Sequence, residues 1–366
     1  MTPKRRGVLL KCALLTTLAA LAGCAPIGPG TVPLDRAGYN ETITASWKQQ
    51  ILLNIVKIRY VEPIFFVEVG DIVAGYTLET GGNLSFARTW DDPKTLVDTT
   101  TFGAGVSGKY TDRPTITYKP MTGAPFRRAV MSPMPLRNVA LGIESGISAN
   151  FLINLGVRSI NGLRNESLTL QEHWPASEEF TRVVQALARL QTANAVHVKH
   201  QPAARGGEAK LLLALGGMKP SAEVLATVGE LQGLLDLDPS VREYELVGVP
   251  TNANRREIVL QTYSLMQIMA NLAARVNVPP EDIASKLVMP SLAGAPRSGV
   301  LSGVAVQCSE TRPGQAFASV HIHDRWFWVD NHDLATKRVF SFLTLVFTLM
   351  EENRGASSPQ LTIPVQ

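Results

Sequence analysis

An α+β fold is predicted, with mainly antiparallel strands and several packed amphipathic helices in two subdomains. Three observations point there. Apolar residues recur at helical spacing in some stretches and alternate, or run in short blocks, in others. The two kinds of segment are interspersed without a regular βαβ rhythm. The composition is 45% hydrophobic and 18% charged, with 29 glycines and 23 prolines, an ordinary globular mixture over 366 residues that excludes a largely disordered chain.

Residues 1–23 read as a signal peptide. Lys4, Arg5, Arg6 and Lys11 precede a short apolar stretch from Cys12 to Ala20, too short for a helix that needs about 20 apolar residues to cross a bilayer. The segment closes with Leu21-Ala22-Gly23-Cys24. That tetrapeptide resembles the lipobox of bacterial lipoproteins, in which small side chains admit the signal peptidase and the cysteine thiol takes the lipid. The resemblance implies recognition through Leu21, Ala22 and Gly23, cleavage before Cys24, and acylation of Cys24. More than one acyl chain gives stable membrane attachment without a transmembrane helix. Ala25, in place of an aspartate, follows the cysteine; in the enterobacterial sorting rule this implies the outer membrane, with the body facing the periplasm.

Cleavage changes the charge balance. The whole chain has 35 basic and 31 acidic residues, but four of the basic ones leave with the leader, so 31 of each remain. The mature chain is formally neutral and carries no electrostatic footprint for nucleic acid. Cysteine arithmetic follows: Cys12 leaves, Cys24 carries lipid, and Cys308 is the remaining thiol. It lies in an apolar run that reads as a strand, with no histidine close in sequence, so a buried and inert role is expected.

Residues 24–38 hold the lipidated cysteine and a Pro/Gly-rich stretch expected to act as a flexible tether. An N-terminal α+β region then covers 39–166 and a C-terminal one 167–366. From Asn40 to Tyr60, Ile43, Trp47, Ile51 and Ile55 mark a helix stopped by Pro63. Residues 64–119 look like β structure, with strands at Ile64–Val69 and Thr115–Tyr118 and a turn at Gly81-Gly82-Asn83. A short helix over Leu136–Gly146 and an apolar stretch from Asn150 to Leu163 close this region.

In the second region, Glu178–Leu190 and Ser221–Leu235 read as helices. Ala195–His200, Leu211–Leu215 and Glu243–Val249 read as strands. Arg255–Val276 is expected to be the longest helix, its methionines serving as core filler. Strands follow at 302–308, 316–323 and 325–330. The last helix starts at Asp333, a natural N-cap, and runs to Glu352. Its Val339–Met350 segment is nearly all apolar but too short to span a bilayer, which places it in the core or in a partner interface. Gly355 suits a helix stop, and Leu361–Val365 suits an edge strand.

Chemistry is sparse. Gly103-Ala-Gly105-Val-Ser-Gly108 matches a dinucleotide fingerprint and, with Lys109, the start of a phosphate loop. Tyr110 stands where a phosphate loop needs Ser or Thr, and the following residues are strand-like instead of opening a helix, so a glycine-rich turn or barrel bend is expected. His321 and His323, two apart on a strand, would share a face and could hold one metal, with Asp330 or His332 returning from the next strand. The simpler alternative is a hairpin turning at Asp324-Arg325, with Trp326 and Trp328 on one side. His197 and His200 fall on opposite faces. Paired glutamates at 178–179 and 351–352 suit solvated helix faces. Neither a nucleophile elbow nor a Cys/His pair is present, so no catalytic, cofactor-binding or metal residue is assigned.

Beyond the lipobox, Leu52–Tyr60, Ser159–Asn165, Gln261–Leu265 and Arg325–Trp328 are similar to stretches of a group of uncharacterised proteobacterial lipoproteins, a likeness that carries over no function besides lipidation of Cys24. The expected function is a non-catalytic, lipid-anchored periplasmic lipoprotein, a scaffold or subunit of an envelope complex with the membrane and an envelope protein as partners. The alternatives are a metal-dependent hydrolase using His321 and His323, or a carrier for a hydrophobic ligand.

Overall fold

The computed structural model describes residues 27–73, 76–89, 99–168, 172–202, 209–251, 255–289, 301 and 303–351. The leader, the lipobox and Cys24 lie outside them, as do Gly355 and 361–365. The chain divides into two compact units, Ala45–Phe66 with Pro120–Gln366, and Met1–Thr44 with Val67–Lys119.

The first unit is built on a six-stranded sheet. Its strands are β5 (Val157–Ile160), β6 (Leu163–Arg164), β9 (Val196–Gln201), β10 (Lys210–Leu215), β11 (Glu243–Val247) and β12 (Glu257–Thr262), in the order β6-β5-β12-β11-β10-β9. All neighbours are antiparallel except β11 and β12. The boundary expected near residue 166 therefore does not divide the unit. β5, from before it, pairs with β12, from after it, with Ile160 opposite Leu260; pairing over so long a separation leaves no trace in composition.

Helices α2 (Leu136–Glu144), α3 (Ala149–Gly156), α4 (Glu178–Thr192) and α5 (Ala222–Leu234) supply the core of this unit. α4 forms because Ser177 accepts from the Phe180 amide while Phe180, Val183, Val184, Leu187 and Leu190 recur on one face. All five are buried, each contributing about 1.5–3 kcal/mol. Ser221 caps α5 the same way through the Val224 amide. Gln191 joins three elements: its side chain donates to the Ile143 and Ile147 carbonyls at 3.2 and 2.8 Å and accepts from the Ala149 amide at 2.7 Å. It thereby satisfies the end of α2 and the start of α3 together.

The helix expected over Arg255–Val276 is corrected. Residues 257–262 are strand β12, and only Leu265–Ala273 form a helix, α6. Glu-Ile-Val-Leu-Gln-Thr alternates as well as it spirals, and pairing with both β11 and β5 decides the outcome. The break is written at Ser264, which accepts from the Gln267 amide while the Gln267 side chain accepts from the Ser264 amide, a capping box.

A second sheet in this unit runs β13-β15-β14 (Gln307–Ser309, Arg325–Asp330, Ala316–Ile322). The helix α8 (Leu334–Glu351) starts where Asp333 accepts from the Thr336 amide at 3.0 Å. Val339, Phe340, Leu343, Val346 and Phe347 are buried, so its apolar stretch belongs to the core. Phe347 meets Trp47 and Phe66 with ring centroids 4.6 and 5.2 Å apart, and Phe342 meets Phe151 at 5.8 Å.

Trp47 lies on α1 (Ile27–Arg59). This helix begins well before Asn40 and takes in residues 27–38, expected as a flexible tether. Once its packed turns exist, each added residue costs one residue's ordering for one hydrogen bond, far less than nucleation. Pro33 lies inside it, removing one backbone donor.

In the second unit, β1 (Val67–Val73) pairs with β4 (Thr115–Pro120), and β2 (Tyr76–Thr89) with β3 (Thr99–Asp112). The turn expected at Gly81-Gly82-Asn83 is corrected: these residues sit in mid-strand, opposite Ser107, Val106 and Gly105. The glycine-rich segment 103–108 is likewise paired strand and not a turn. Glycine signals low strand propensity, but register with a partner outweighs it.

Candidate functional site

Of the titratable side chains nominated by the sequence, His323 lies where α1 ends, among residues that were not nominated. Arg59 is wholly buried there, and burial lowers its pKa. Tyr60 follows, then Val61 with a left-handed backbone (φ 59°) that turns the chain toward Glu62. The Tyr60 hydroxyl donates to Asp282 Oδ2 at 2.5 Å. Asp282 sits on α7 (Pro280–Ala284), a single turn led by proline. The Tyr60 ring stacks on His323 at 4.5 Å and meets Phe327 edge-on at 5.8 Å. His323 Nε2 lies 2.9 Å from Glu62 Oε1. Burial first, then the hydrogen bond to Asp282, push the Tyr60 hydroxyl well above the ordinary tyrosine range.

This geometry separates the two histidines. β14 ends at Ile322; His323 and Asp324 both have positive φ, 54° and 57°, and form the two-residue link of a β14–β15 hairpin, as a type I′ turn requires. His321 remains on the strand, 5.0 Å from the Trp326 ring. His332 makes its own contact with Asp330 at 3.1 Å. The hairpin alternative gives the local arrangement, with the turn one residue earlier than Asp324-Arg325. Phe327 and Val329 of β15 are buried while Trp326 and Trp328 lie on its other face, partly exposed. No group of three or more His, Cys, Asp or Glu placed to hold a metal occurs among the described residues.

Cys308 pairs with Phe327 across β13 and β15. Burial raises its thiol pKa, Arg325 opposes that, and Asp282 and Glu281 add to it. That direction disfavours the thiolate that a nucleophile needs. The assembly is chemically a latch, in which aromatic stacking, a histidine–carboxylate contact and a phenol–carboxylate bond fix the end of α1 to the hairpin and to α7.

Two further polar sites have no signature in sequence spacing. Glu166, His173 and Arg275 converge from the β6–β7 connection, from β8 (His173–Trp174) and from beyond α6; β7 is Ser167–Leu168. His173 Nε2 is 3.2 Å from Glu166 Oε1, and Arg275 Nη2 is 4.0 Å from Glu166 Oε2. The Tyr263 hydroxyl donates to the Glu166 carbonyl, and Asn271 accepts from the Leu168 amide. The space left there is about 10 Å³.

The second is an open groove of about 550 Å³ beside β12, lined by Asn161, Asp236, Arg255, Glu257 and Gln261. Asn161, Asp236 and Arg255 all have positive φ. Asn161 is held by the Val259 amide and the Leu235 carbonyl, each at 2.7 Å. Arg255 is paired with Asp236 and Glu257 with Thr251.

The apolar interior between the helices and the six-stranded sheet, lined by Val139, Ile153, Leu187, Leu213 and Ile258 among others, leaves only about 30 Å³ open. That is the room of one water, against roughly 300–1,000 Å³ for a small-molecule site. No helix among the described residues is long and apolar enough to cross a membrane. Comparison of the chain with protein-family models, with curated proteins and with solved structures finds no match.

Proposed function

We propose that this chain is a lipid-anchored lipoprotein of the outer membrane, and that its periplasm-facing body is a non-catalytic scaffold or subunit of an envelope complex. The observation that carries this reading is the Leu21-Ala22-Gly23-Cys24 tetrapeptide closing a basic and then apolar leader. The structure lends support from the other side. Among the described residues, Tyr60 and His323 are engaged with Asp282 and Glu62, and the apolar interior against the six-stranded sheet leaves only about 30 Å³ open. The hydrolase alternative gains nothing from a geometry that puts His323 in a turn against Glu62 and leaves His321 beside Trp326.

The test is metabolic labelling with palmitate together with a Cys24→Ser variant. The wild type takes up label and sediments with membranes, whereas the variant takes up none and moves to the soluble fraction. An unlabelled wild type, or a variant that stays in the membrane pellet, overturns the anchor. Crosslinking in intact envelopes followed by purification tests the scaffold role, for which the expected product is one stoichiometric envelope protein and a purely monomeric profile is the contrary result.

A further inference from the structure

The β2–β3 pair is unusual in its register. Fourteen residues of each strand are paired, from Tyr76–Asp112 to Thr89–Thr99. Successive residues of a strand belong to opposite faces, so the register sorts the ribbon into two sets. One contains Leu78 opposite Tyr110, Leu84 opposite Ala104 and Phe86 opposite Phe102, with only Thr, Gly and Val in the rows between. The other contains Glu79 opposite Lys109, Gly81 opposite Ser107, Asn83 opposite Gly105 and Ser85 opposite Gly103. Its Glu79, Asn83, Ser85, Ser107 and Lys109 are exposed.

The apolar set is bounded by charge. Asp112 lies one row beyond Leu78–Tyr110, and Arg88 one row beyond Phe86–Phe102. The uncharged rows of this set, from 78 to 86, cover about nine residues of strand, about 26 Å along it at ~3.3 Å per residue and about 20 Å of height at a tilt of about 40°. A tilted membrane strand needs about 9–11 residues and shows an apolar band about 25 Å tall with aromatics at its margins. Aromatic residues stand at both limits here, Tyr110 at one and Phe86 with Phe102 at the other.

The edges make a second, independent argument. β2 and β3 form a sheet of two strands, so each has one side without a ladder among the described residues. An isolated two-stranded ribbon is marginal in water, and in hydrocarbon every backbone group needs a partner, which a closed barrel provides. Identical ribbons solve both problems, since the free side of β2 in one copy can pair with the free side of β3 in the next.

We propose that β2–β3 is a membrane-inserting hairpin which several copies of this chain pool into one transmembrane β-barrel, with the Leu/Phe set toward lipid and the Glu/Ser/Asn set lining a water-filled lumen. Barrels of about eight strands have interiors filled by side chains, whereas about sixteen leave an aqueous channel, so an open lumen calls for about eight copies. The inference goes beyond the scaffold role and stands on the ribbon's register alone; failure of the Cys24→Ser test leaves it intact, and its own failure leaves the anchor intact.

The experiment uses the full chain in a Cys308→Ser background, with Cys24 left to carry lipid or, if it carries none, replaced by serine, reconstituted into phosphatidylethanolamine–phosphatidylglycerol vesicles. Single cysteines placed in turn at positions 77–87 carry spin labels, whose accessibility to lipid-soluble oxygen and to a water-soluble nickel chelate is measured. A period of two is expected, with 78, 84 and 86 open to oxygen and 79, 83 and 85 open to the chelate. Chelate access at both sets overturns the proposal, because the ribbon then stands in water. Exclusion of both reagents from the even set also overturns it, because protein and not lipid then covers that face. Release of an entrapped ion-sized dye supplies the second readout. Gly82→Arg and Val106→Arg, in the middle row of the band, are expected to slow it about tenfold or more, as a cation at the midplane of a lipid face does, while Asn83→Asp and Ser85→Asp keep the leak and shift it toward cations. Tight wild-type vesicles, or a crosslinked species no larger than a monomer, reject the barrel.

Discussion

Tyr60 concentrates several local effects in one side chain. Its ring is stacked on His323 and its hydroxyl is bound to Asp282, so Tyr60→Phe removes the second contact and keeps the first. Asp282 is partly exposed and regains water, which limits the expected loss to about 1–2 kcal/mol at neutral pH, measured by denaturant unfolding. The pH dependence has a definite sign. The native hydroxyl has a raised pKa, so its stabilisation is complete below about pH 10, where a free tyrosine begins to ionise. Above that pH the unfolded chain gives up a proton that the native chain keeps. Stability then falls by up to about 1.4 kcal/mol per pH unit for each such tyrosine. Tyr244 and Tyr263 are raised as well, chiefly by burial, so a steep alkaline limb is expected of the wild type. Tyr60→Phe should flatten that limb without abolishing it; an unchanged slope would mean that neither burial nor the bond to Asp282 raises the Tyr60 pKa in solution.

At the level of helices and strands, legibility followed local signals. α4 and α5 were readable because Ser177 and Ser221 cap them and one face of α4 is apolar. The strands β9 and β10 were readable as short apolar blocks, and the β14–β15 hairpin as a polar turn between aromatic strands. The long helix expected across 255–276 failed because Ile258, Leu260, Leu265 and Met269 fit a spiral, while the evidence against it, pairing with β5 a hundred residues away, is tertiary. The local clue was Ser264 with Gln267 three residues on. Ser264→Ala should therefore cost about 1 kcal/mol and expose α6 to faster amide exchange, with β12 unaffected; equal loosening of both would make them one cooperative unit. Site geometry was less legible. His323 was nominated, but its partners Glu62 and Tyr60 come from the far end of the sequence, and Glu166, His173 and Arg275 share no spacing rule. Yet the short stretches carrying the lipoprotein resemblance contain Asn54, Arg59, Asn165, Ser159 and Phe327, all buried. Asn54 exchanges two hydrogen bonds with the Phe65 backbone at 2.9 and 3.0 Å, and Asn165 donates to Asn154 and Val157 carbonyls. Most of these are polar positions whose burial requires specific partners.

For the whole chain, the decisive feature is that the body closes without its long excursion. Met121 donates its amide to the Phe66 carbonyl at 2.9 Å, so the two ends of the segment from Val67 to Pro120 already stand side by side within one unit. Phe66 is wholly buried and Met121 nearly so, fixed by the core on both sides of the gap. A chain in which residues 67–120 are replaced by a short Gly/Asn turn keeps both anchors. Shortening that excursion about tenfold lowers the entropic cost of closing it by about 2 kcal/mol, which offsets the loss of whatever local contacts the excursion makes. The shortened protein should unfold in one cooperative transition, with a midpoint within a few degrees of the wild type. It should also keep the alkaline limb set by Tyr60, Tyr244 and Tyr263, since all three lie in the retained unit. Thermal unfolding followed by circular dichroism decides the matter. An expanded or aggregating product would show that residues 67–120 help hold the core, whereas a native-like one would show a body that folds by itself and carries the ribbon as an appendage available for other work.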